Sequence, residues 1–241
     1  MRNGAPDSHA AGGVTNPVAP GTAGHLGWRD DNLAREWADG DRLGPLLALP
    51  RRITGAVLAA ADPPVRVVLD VGSGPGAFLA AVLDSCPDAT GIWTDVSAAM
   101  QDLAQERLAP LSSRIEFRLA DATDLAAAAA GRPADAVLTS RFSHHLDPAG
   151  LRTFYADAAE LVGPGGWIAN LDHISLSEPW AARLARVRAE MVPPNPSAHR
   201  HDRPLCALRD HLGALSATGW NEVTVAWQAF ATVLILGRRT S

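Results

Sequence analysis

Seven short apolar runs punctuate the chain, at residues 67–71, 89–94, 114–119, 134–139, 167–171, 221–227 and 231–236. Their length and their Gly, Pro and Asp boundaries suit strands rather than helices. Segments with helical spacing lie between them, at 77–83, around Met100, and at 125–130, 151–161 and 205–217. Such alternation predicts an α/β fold, a Rossmann-like, mostly parallel seven-stranded sheet with helices on both faces. The last two runs lie only three residues apart and predict an antiparallel C-terminal hairpin. Two helices precede the first strand. Asp30 or Asp31 caps one, which carries Leu33, Ala34 and Trp37 and stops at Gly40; the other spans 45–61 and closes at Asp62-Pro63-Pro64. Residues 1–25 hold almost no bulky apolar side chain and read as a disordered tail. The remainder, 26–241, reads as one domain, interrupted at 174–204 by a segment outside the alternation.

The chemistry begins where the first run ends. Asp70-Val71-Gly72-Ser73-Gly74-Pro75-Gly76 breaks a strand into three alternate glycines just before a helix opens at Ala77. A glycine turn at a helix N-terminus brings bare backbone N–H groups up to a ligand. With Ala77 the loop also satisfies the G-x-G-x-x-G/A dinucleotide pattern, so the glycines alone leave a nicotinamide cofactor open. Asp70 ahead of Gly72 and the closely spaced Gly76 lean away from it. Asp95 lies 19 residues beyond Gly76, close to the ~20-residue offset at which an acid meets ribose hydroxyls.

This loop closely resembles motif I of the class I S-adenosylmethionine-dependent methyltransferases. Further segments follow in that family's order: Asp95-Val96-Ser97-Ala98-Ala99-Met100, Ala120-Asp121-Ala122, the stretch from Ser140 to Asp147 containing His144-His145-Leu146, and the turn Gly163-Pro164-Gly165-Gly166. The resemblance covers about residues 65–172 and, more loosely, the C-terminal end. It implies S-adenosylmethionine as cofactor, held by Asp70, Gly72, Ser73, Gly74 and Gly76 in the loop. Asp95 and Val96 would meet the ribose, Met100, Asp121 and Ala122 the adenine, and Ser140 the methionine part. It also implies that residues 26–64 form a lid, where Trp28 and Trp37 either touch the ligand or pack on the lid's own small core, and that 174–204 roof an acceptor pocket.

For the acceptor side, His173 and His144 are the candidate bases, since imidazole titrates near neutrality. His144 is read as facing the ligand and His145 as structural or capping, though still near the acceptor. Arg141 and Asp172 are the other nearby contact candidates. Between residues 181 and 211 six Arg face three acids, so Arg200 and Arg203 are candidates for gripping a carboxylate or phosphate. A solvated loop is the plain alternative there. His199-x-His201-Asp202 lacks a standard zinc spacing, and no metal is expected.

Composition narrows the partners. A net charge of −5 argues against nucleic acid, and the 21 basic residues are all Arg. No Asn-Pro-Pro-aromatic motif follows the fourth strand, which disfavours base-amine methylation of that type. No apolar run reaches the ~18 residues of a membrane span. Two cysteines, Cys86 and Cys206, make no disulfide framework, so a cytoplasmic setting is expected. A homodimer is compatible with all of this. The resemblance implies methyl transfer to a small acidic or polar metabolite. Another use of S-adenosylmethionine, such as cyclisation of its aminocarboxypropyl arm or scaffolding of a substrate cyclisation, stays open, as does a silent binding subunit.

Overall fold

The computed structural model describes residues 28–40, 44–192 and 204–240. The tail expected at 1–25, and Arg200 and Arg203 with the neighbouring histidines, lie outside the described residues.

The seven runs form one sheet of order β3-β2-β1-β4-β5-β7-β6. Its strands are β1 (Val67–Val71), β2 (Thr90–Asp95), β3 (Ile115–Leu119), β4 (Ala136–Ser140), β5 (Trp167–His173), β6 (Glu222–Ala229) and β7 (Thr232–Arg238). The first five pair in parallel, and β7 runs antiparallel to both neighbours. The hairpin therefore forms as expected, but its antiparallel strand lies inside the sheet rather than at the rim. Side-chain pattern explains the swap. Nearly every residue of β7 is buried, as a two-sided position requires, whereas β6 alternates between exposed and half-buried residues and carries the bulge near Val225.

Eight helices are described: α1 (Asp31–Gly40), α2 (Gly44–Ala59), α3 (Ala77–Ser85), α4 (Ala98–Arg107), α5 (Leu125–Ala129), α6 (Pro148–Val162), α7 (Glu178–Met191) and α8 (Leu208–Ala217). The period-2 alternation of the strands sorts the core into two layers. Leu69, Val71, Val137 and Ile235 face α5, α6 and α8, where Phe154, Tyr155 and Trp220 are buried. Val68, Leu138, Leu171 and Leu234 face the opposite layer with Phe78, Leu79 and Leu83 of α3 and Leu47 of α2. Asp30 proves to be the cap of α1, its Oδ1 accepting from the N–H groups of Asn32 and Leu33. Asp31 instead reaches across to accept from Ala99 N–H at the start of α4. No residue of α7 is buried, and Trp180, Val187 and Met191 stand exposed along it.

Where α2 crosses α3, Gly55 allows contact between backbones. A Cβ there would sit 2.8 Å from Ala81 O and 2.4 Å from Ser85 Oγ. The hydroxyl turns on a single bond, but the carbonyl and the Ser85 Cβ, at 2.9 Å, are fixed to a packed helix. Gly55→Ala is therefore expected to destabilise the chain by about 1–3 kcal/mol despite the better helix propensity of Ala. Urea unfolding measured beside the parent checks this, and an unchanged midpoint would refute the crossing.

Candidate functional site

Strand order reverses between β1 and β4, and open α/β sheets bind ligands in the crevice that this reversal leaves at the carboxyl ends. Both loops that leave the reversal are backbone-specialised. Gly72 has φ 60° and Gly74 φ 53°, a region an L-residue enters only at a cost. A Cβ on Gly72 would approach Phe142 Cβ to 3.1 Å, so the glycine lets the loop after β4 close in. A Cβ on Gly74 would meet nothing within 4 Å, because that face opens onto the cleft.

The glycine loop is tied to β2 rather than left to wander. Ser73 N–H donates to Thr94 O at 2.9 Å, and the Trp93 indole N–H donates to Gly74 O at 2.9 Å. The Asp95 carboxylate accepts from Gly74 N–H at 2.9 Å and from Ser97 N–H at 3.0 Å. Ser97 is the cap of α4, accepting from Met100 N–H at 3.2 Å, so Asp95 is not needed for that duty. Burial raises the Asp95 pKa, and the N–H groups of Gly74, Ser97 and Val96 pull against it. Asp70 lies wholly buried beneath the loop, accepting from the Ser73 hydroxyl at 2.5 Å. Burial pushes its pKa up to about 7, against the Ser73 hydroxyl, the Leu79 N–H and the nearby Arg51 guanidinium.

The crevice itself is a cleft open to solvent, with about 960 Å³ of empty space counting its open mouth. On the β2 and β3 side its wall is Asp95, Val96, Met100 and Ala122. Gly72, Ser73 and Gly74 border its middle. On the β4 side stand Ser140, Arg141, Phe142 and His145, faced by Trp28 and Trp37. The two indoles pack edge to face at 5.4 Å and both border the cleft. Arg141 adopts φ 56°, unusual for a non-glycine residue, and carries its guanidinium 4.4 Å over the Trp37 ring. Ser140 Oγ is buried without a hydrogen-bond partner among the described residues.

Behind this wall the histidines form a stack. The His144 and His145 rings lie 4.1 Å apart and the His144 and His173 rings 5.5 Å apart. His145 borders the cleft, whereas His144 is 2% exposed, with Nδ1 2.6 Å from Asp172 Oδ1. The orientation expected for the pair is thus reversed. Burial opposes the Asp172 charge, yet the adjacent His144, its hydrogen bond, His173 and the Ser143 hydroxyl together hold this carboxyl well below the usual range. An ionised Asp172 only accepts, so Nδ1 of His144 carries the proton and Nε2 is the basic nitrogen. Asp172 also accepts from Ser143 Oγ–H and from the N–H groups of His144 and His173. It is saturated with protein donors and lies away from the cleft, which removes it as a substrate contact in this arrangement. His173 is half-buried, 3.1 Å from Thr232 Oγ1, and does not border the cleft.

From Asp172 a buried polar chain continues inward. Asn170 donates to Ser143 Oγ at 2.8 Å and to Tyr155 Oη at 2.7 Å, and Tyr155 lies 2.8 Å from His211 Nδ1. Burial lowers the His211 pKa, so a neutral ring accepts from the tyrosine hydroxyl.

Asp121, assigned to the adenine, turns its Oδ1 to Thr123, while Ala122 beside it reaches the cleft. Gly76, with φ 77°, packs under Leu108 instead of bordering the cleft. Sequence reasoning missed Arg51, Arg107 and Phe142, which do border it. A signal existed for Arg51. Leu47, Arg51, Thr54, Gly55 and Leu58 form the buried stripe of α2, and a charge on an apolar stripe calls for a partner.

Residues 68–166 match the model of a methyltransferase domain. Over this stretch, less than half of the chain, the protein is similar to methyltransferase domains that use S-adenosylmethionine. S-adenosylmethionine is the cofactor of such a domain, and the open face of Gly74, the Asp95 carboxylate and the unpartnered Ser140 hydroxyl suit an adenosine with a charged amino-acid arm. The release factor glutamine methyltransferase of Cereibacter sphaeroides is 42% identical over 69 residues, 28% of this chain and 25% of the relative. An O-methyltransferase family 2 protein from Planctomyces limnophilus, solved with apigenin, superposes with TM-score 0.64 at 22% identity, over 88% of this chain and 62% of that one. Human N-acetylserotonin methyltransferase, solved with S-adenosylmethionine, does so with TM-score 0.62 at 15% identity, over 89% and 58%. The chain thus spans 62% and 58% of those two solved chains and 25% of the curated relative. Among the described residues no helix is long and apolar enough to cross a membrane, and no cluster of metal-ligating side chains occurs.

The buried Asp70 makes this methyltransferase domain pH-sensitive in a defined direction. An acid whose folded pKa is raised from 3.8 to about 7 stabilises the fold fully below pH 4, and that contribution is lost as pH climbs to 7. Relative to Asp70→Asn, the parent should lose up to about 4 kcal/mol of stability across that window. Chemical denaturation of both proteins at pH 4.5, 6 and 8 measures it; parallel pH curves would rule the linkage out.

Proposed function

We propose that this chain transfers a methyl group from S-adenosylmethionine to a small acidic or polar metabolite. The observation that carries the reading is the two-sided character of the cleft. Nucleoside fittings line the β2 and β3 side, and a cationic, aromatic wall lines the β4 side.

In this reading the Asp95 carboxylate accepts from the ribose hydroxyls. Met100 and Ala122 flank the adenine, and Val96 closes the edge of that subsite. Ser73, the N–H groups of the glycine loop and Ser140 accompany the amino-acid arm. Arg51 joins them through its place beside Asp70. When bound, S-adenosylmethionine supplies a methyl already activated by its sulfonium. The work left to the chain is alignment of an acceptor atom with the methyl and exclusion of water. Trp28, Trp37 and Phe142 serve both needs, being large, apolar and at the cleft wall. A base is required only for an acceptor that arrives protonated. His145 is the imidazole at the wall, and His144, fixed by Asp172, lies directly behind it. We assign proton acceptance to this pair and leave His173 to hold the end of β5 against Thr232. A chain with net charge −5 is unsuited to a polyanionic acceptor, so the acceptor is a small molecule.

Asp95→Ala tests the reading at its centre. Loss of a charged hydrogen-bond acceptor for two hydroxyls should weaken S-adenosylhomocysteine binding by at least about thirty-fold in calorimetry. The parent's product should be S-adenosylhomocysteine. Methylthioadenosine in its place would indicate use of the amino-acid arm, and no binding of either nucleoside would overturn the proposal.

A further inference from the structure

We infer that α7 is a self-association surface, on which a second copy of this chain docks its own α7 in antiparallel fashion. The inference concerns a part of the molecule that the proposed methyl transfer leaves unused, and it stands or falls apart from that reading.

Helix α7 is 14 residues long, Glu178–Met191, and no residue of it is buried. Within it only Ala181 and Leu184 are half-buried, and the rest is exposed. Its apolar residues are nevertheless aligned. Trp180, Leu184, Val187 and Met191 recur at steps of four, three and four, which places them within about 60° of arc on a helix of 3.6 residues per turn. Trp180 is 55% exposed, Val187 45% and Met191 69%. A continuous stripe of large apolar side chains left in water marks a contact surface, whereas isolated ones need no explanation. The chain has little of its own to lay over the stripe. Residues 193–203, which follow the helix directly, contain no Val, Leu, Ile, Met, Phe, Tyr or Trp. Residues 1–27 offer Met1, Val14, Val18 and Leu26, spread along the whole segment.

The stripe fits a copy of itself. Steps of four, three and four read the same from either end. A two-fold axis at the middle of the helix therefore sets Trp180 against the partner's Met191, and Leu184 against the partner's Val187. The first of these layers joins an indole to a thioether, a favourable contact. Seams of this spacing are those of paired helices, and a two-fold contact requires just such self-complementarity. Charge agrees with the spacing. Arg183 and Glu190 each precede a stripe residue by one position, so both lie on one flank, the one turned away from Ala181. In the antiparallel pair that flank faces itself, and Arg183 falls beside the partner's Glu190, twice over by symmetry. Among the described residues neither is in an ion pair, and Arg183 rests on the Trp180 ring at 5.4 Å. A lipid surface suits the helix less well. Three Arg against two Glu leave it one net positive charge, and Glu190 would meet the headgroups. Two helices of about 21 Å side by side cover on the order of 800 Å², short of the ~1,200 Å² of lasting interfaces. The dimer is accordingly a reversible one, with a dissociation constant of about 10–100 µM.

Sedimentation velocity of the full chain from about 1 to 300 µM should show a shift from monomer to dimer. Val187→Glu, at an exposed position near the axis, should weaken the dimer by at least about ten-fold while the melting temperature stays with the parent's. Arg183→Glu and Glu190→Arg should each weaken it about five-fold, because like charges then face each other twice. The double variant Arg183→Glu/Glu190→Arg should return to within about two-fold of the parent. That rescue is expected of a helix meeting its own copy antiparallel and of no other occupant. Three results would each overturn the inference: a parent that stays monomeric throughout that range, a dimer indifferent to Val187→Glu, or a double variant no better than the singles. Binding of a monomeric parent to phosphatidylserine vesicles, lost in Val187→Glu, would overturn it too, since a membrane would then be the occupant.

Discussion

Asp95 ties two strands together at the point where the sheet changes direction. Its carboxylate accepts one N–H from the glycine loop after β1 and another from the turn into α4. The same group borders the cleft while being 8% exposed. A carboxylate held this way has no freedom to follow a ligand, so whatever it binds is located relative to β1 and β2 alike. The neighbouring anchors act in one direction with it. Trp93 in the core reaches the loop through its indole N–H, and Thr94 holds both Ser73 N–H, through its carbonyl, and Asp70 O, through its hydroxyl. A loop of three glycines would otherwise pay a large entropy penalty for keeping one shape. Here β2 supplies the constraint that the loop's own sequence lacks.

Two other buried carboxyls show how differently an interior can treat the same group. Around Asp70 the Ser73 hydroxyl, the Leu79 N–H and the Arg51 guanidinium favour its charge, but burial outweighs them and its pKa climbs to about 7. Asp172 is as deeply buried, but an imidazole and three further donors surround it, and its pKa falls. The first holds its proton about half of the time at neutral pH, and the second stays ionised. Only an ionised Asp172 can fix the tautomer of His144, and only that tautomer leaves Nε2 basic. The chain through Ser143, Asn170, Tyr155 and His211 carries hydrogen bonding from this cluster into the α5, α6 and α8 layer.

Much of this was legible in the sequence, for reasons that differ by element. The strands announce themselves as apolar runs because a sheet covered on both faces admits little else, and all seven appear with ends shifted by a few residues. β5 runs on to His173, beyond the expected Leu171, because the polar Asp172 and His173 pair with Val233 and Thr232 of β7. α6 starts at Pro148 under an Asp147 cap, three residues before the first apolar position of its stripe. α8 starts at Leu208 because Ala207 is engaged by an isolated bridge to Ser175. Side-chain direction was harder. His144 and His145 are adjacent, and nothing in a dipeptide says which ring meets a buried carboxylate 28 residues away. The place of β7 between β5 and β6 was likewise settled by long-range burial.

Helix α1, at the edge of the cleft, is held by attachments that are each weak. Ala34 is its one fully buried side chain. The Arg35–Asp102 ion pair is exposed on both sides, a kind worth little. Asp31 touches the start of α4, where a carboxylate is favoured by the helix dipole but only modestly. Among the described residues, the Trp37 face under Arg141 also joins α1 to the loop after β4, and Trp28, packed on Trp37, meets His145 of the same loop. Each of these is individually weak, and they sit on different sides of the opening. Releasing α1 therefore costs far less than unfolding the sheet it covers, as the hierarchy of local stabilities requires of an element that admits ligands.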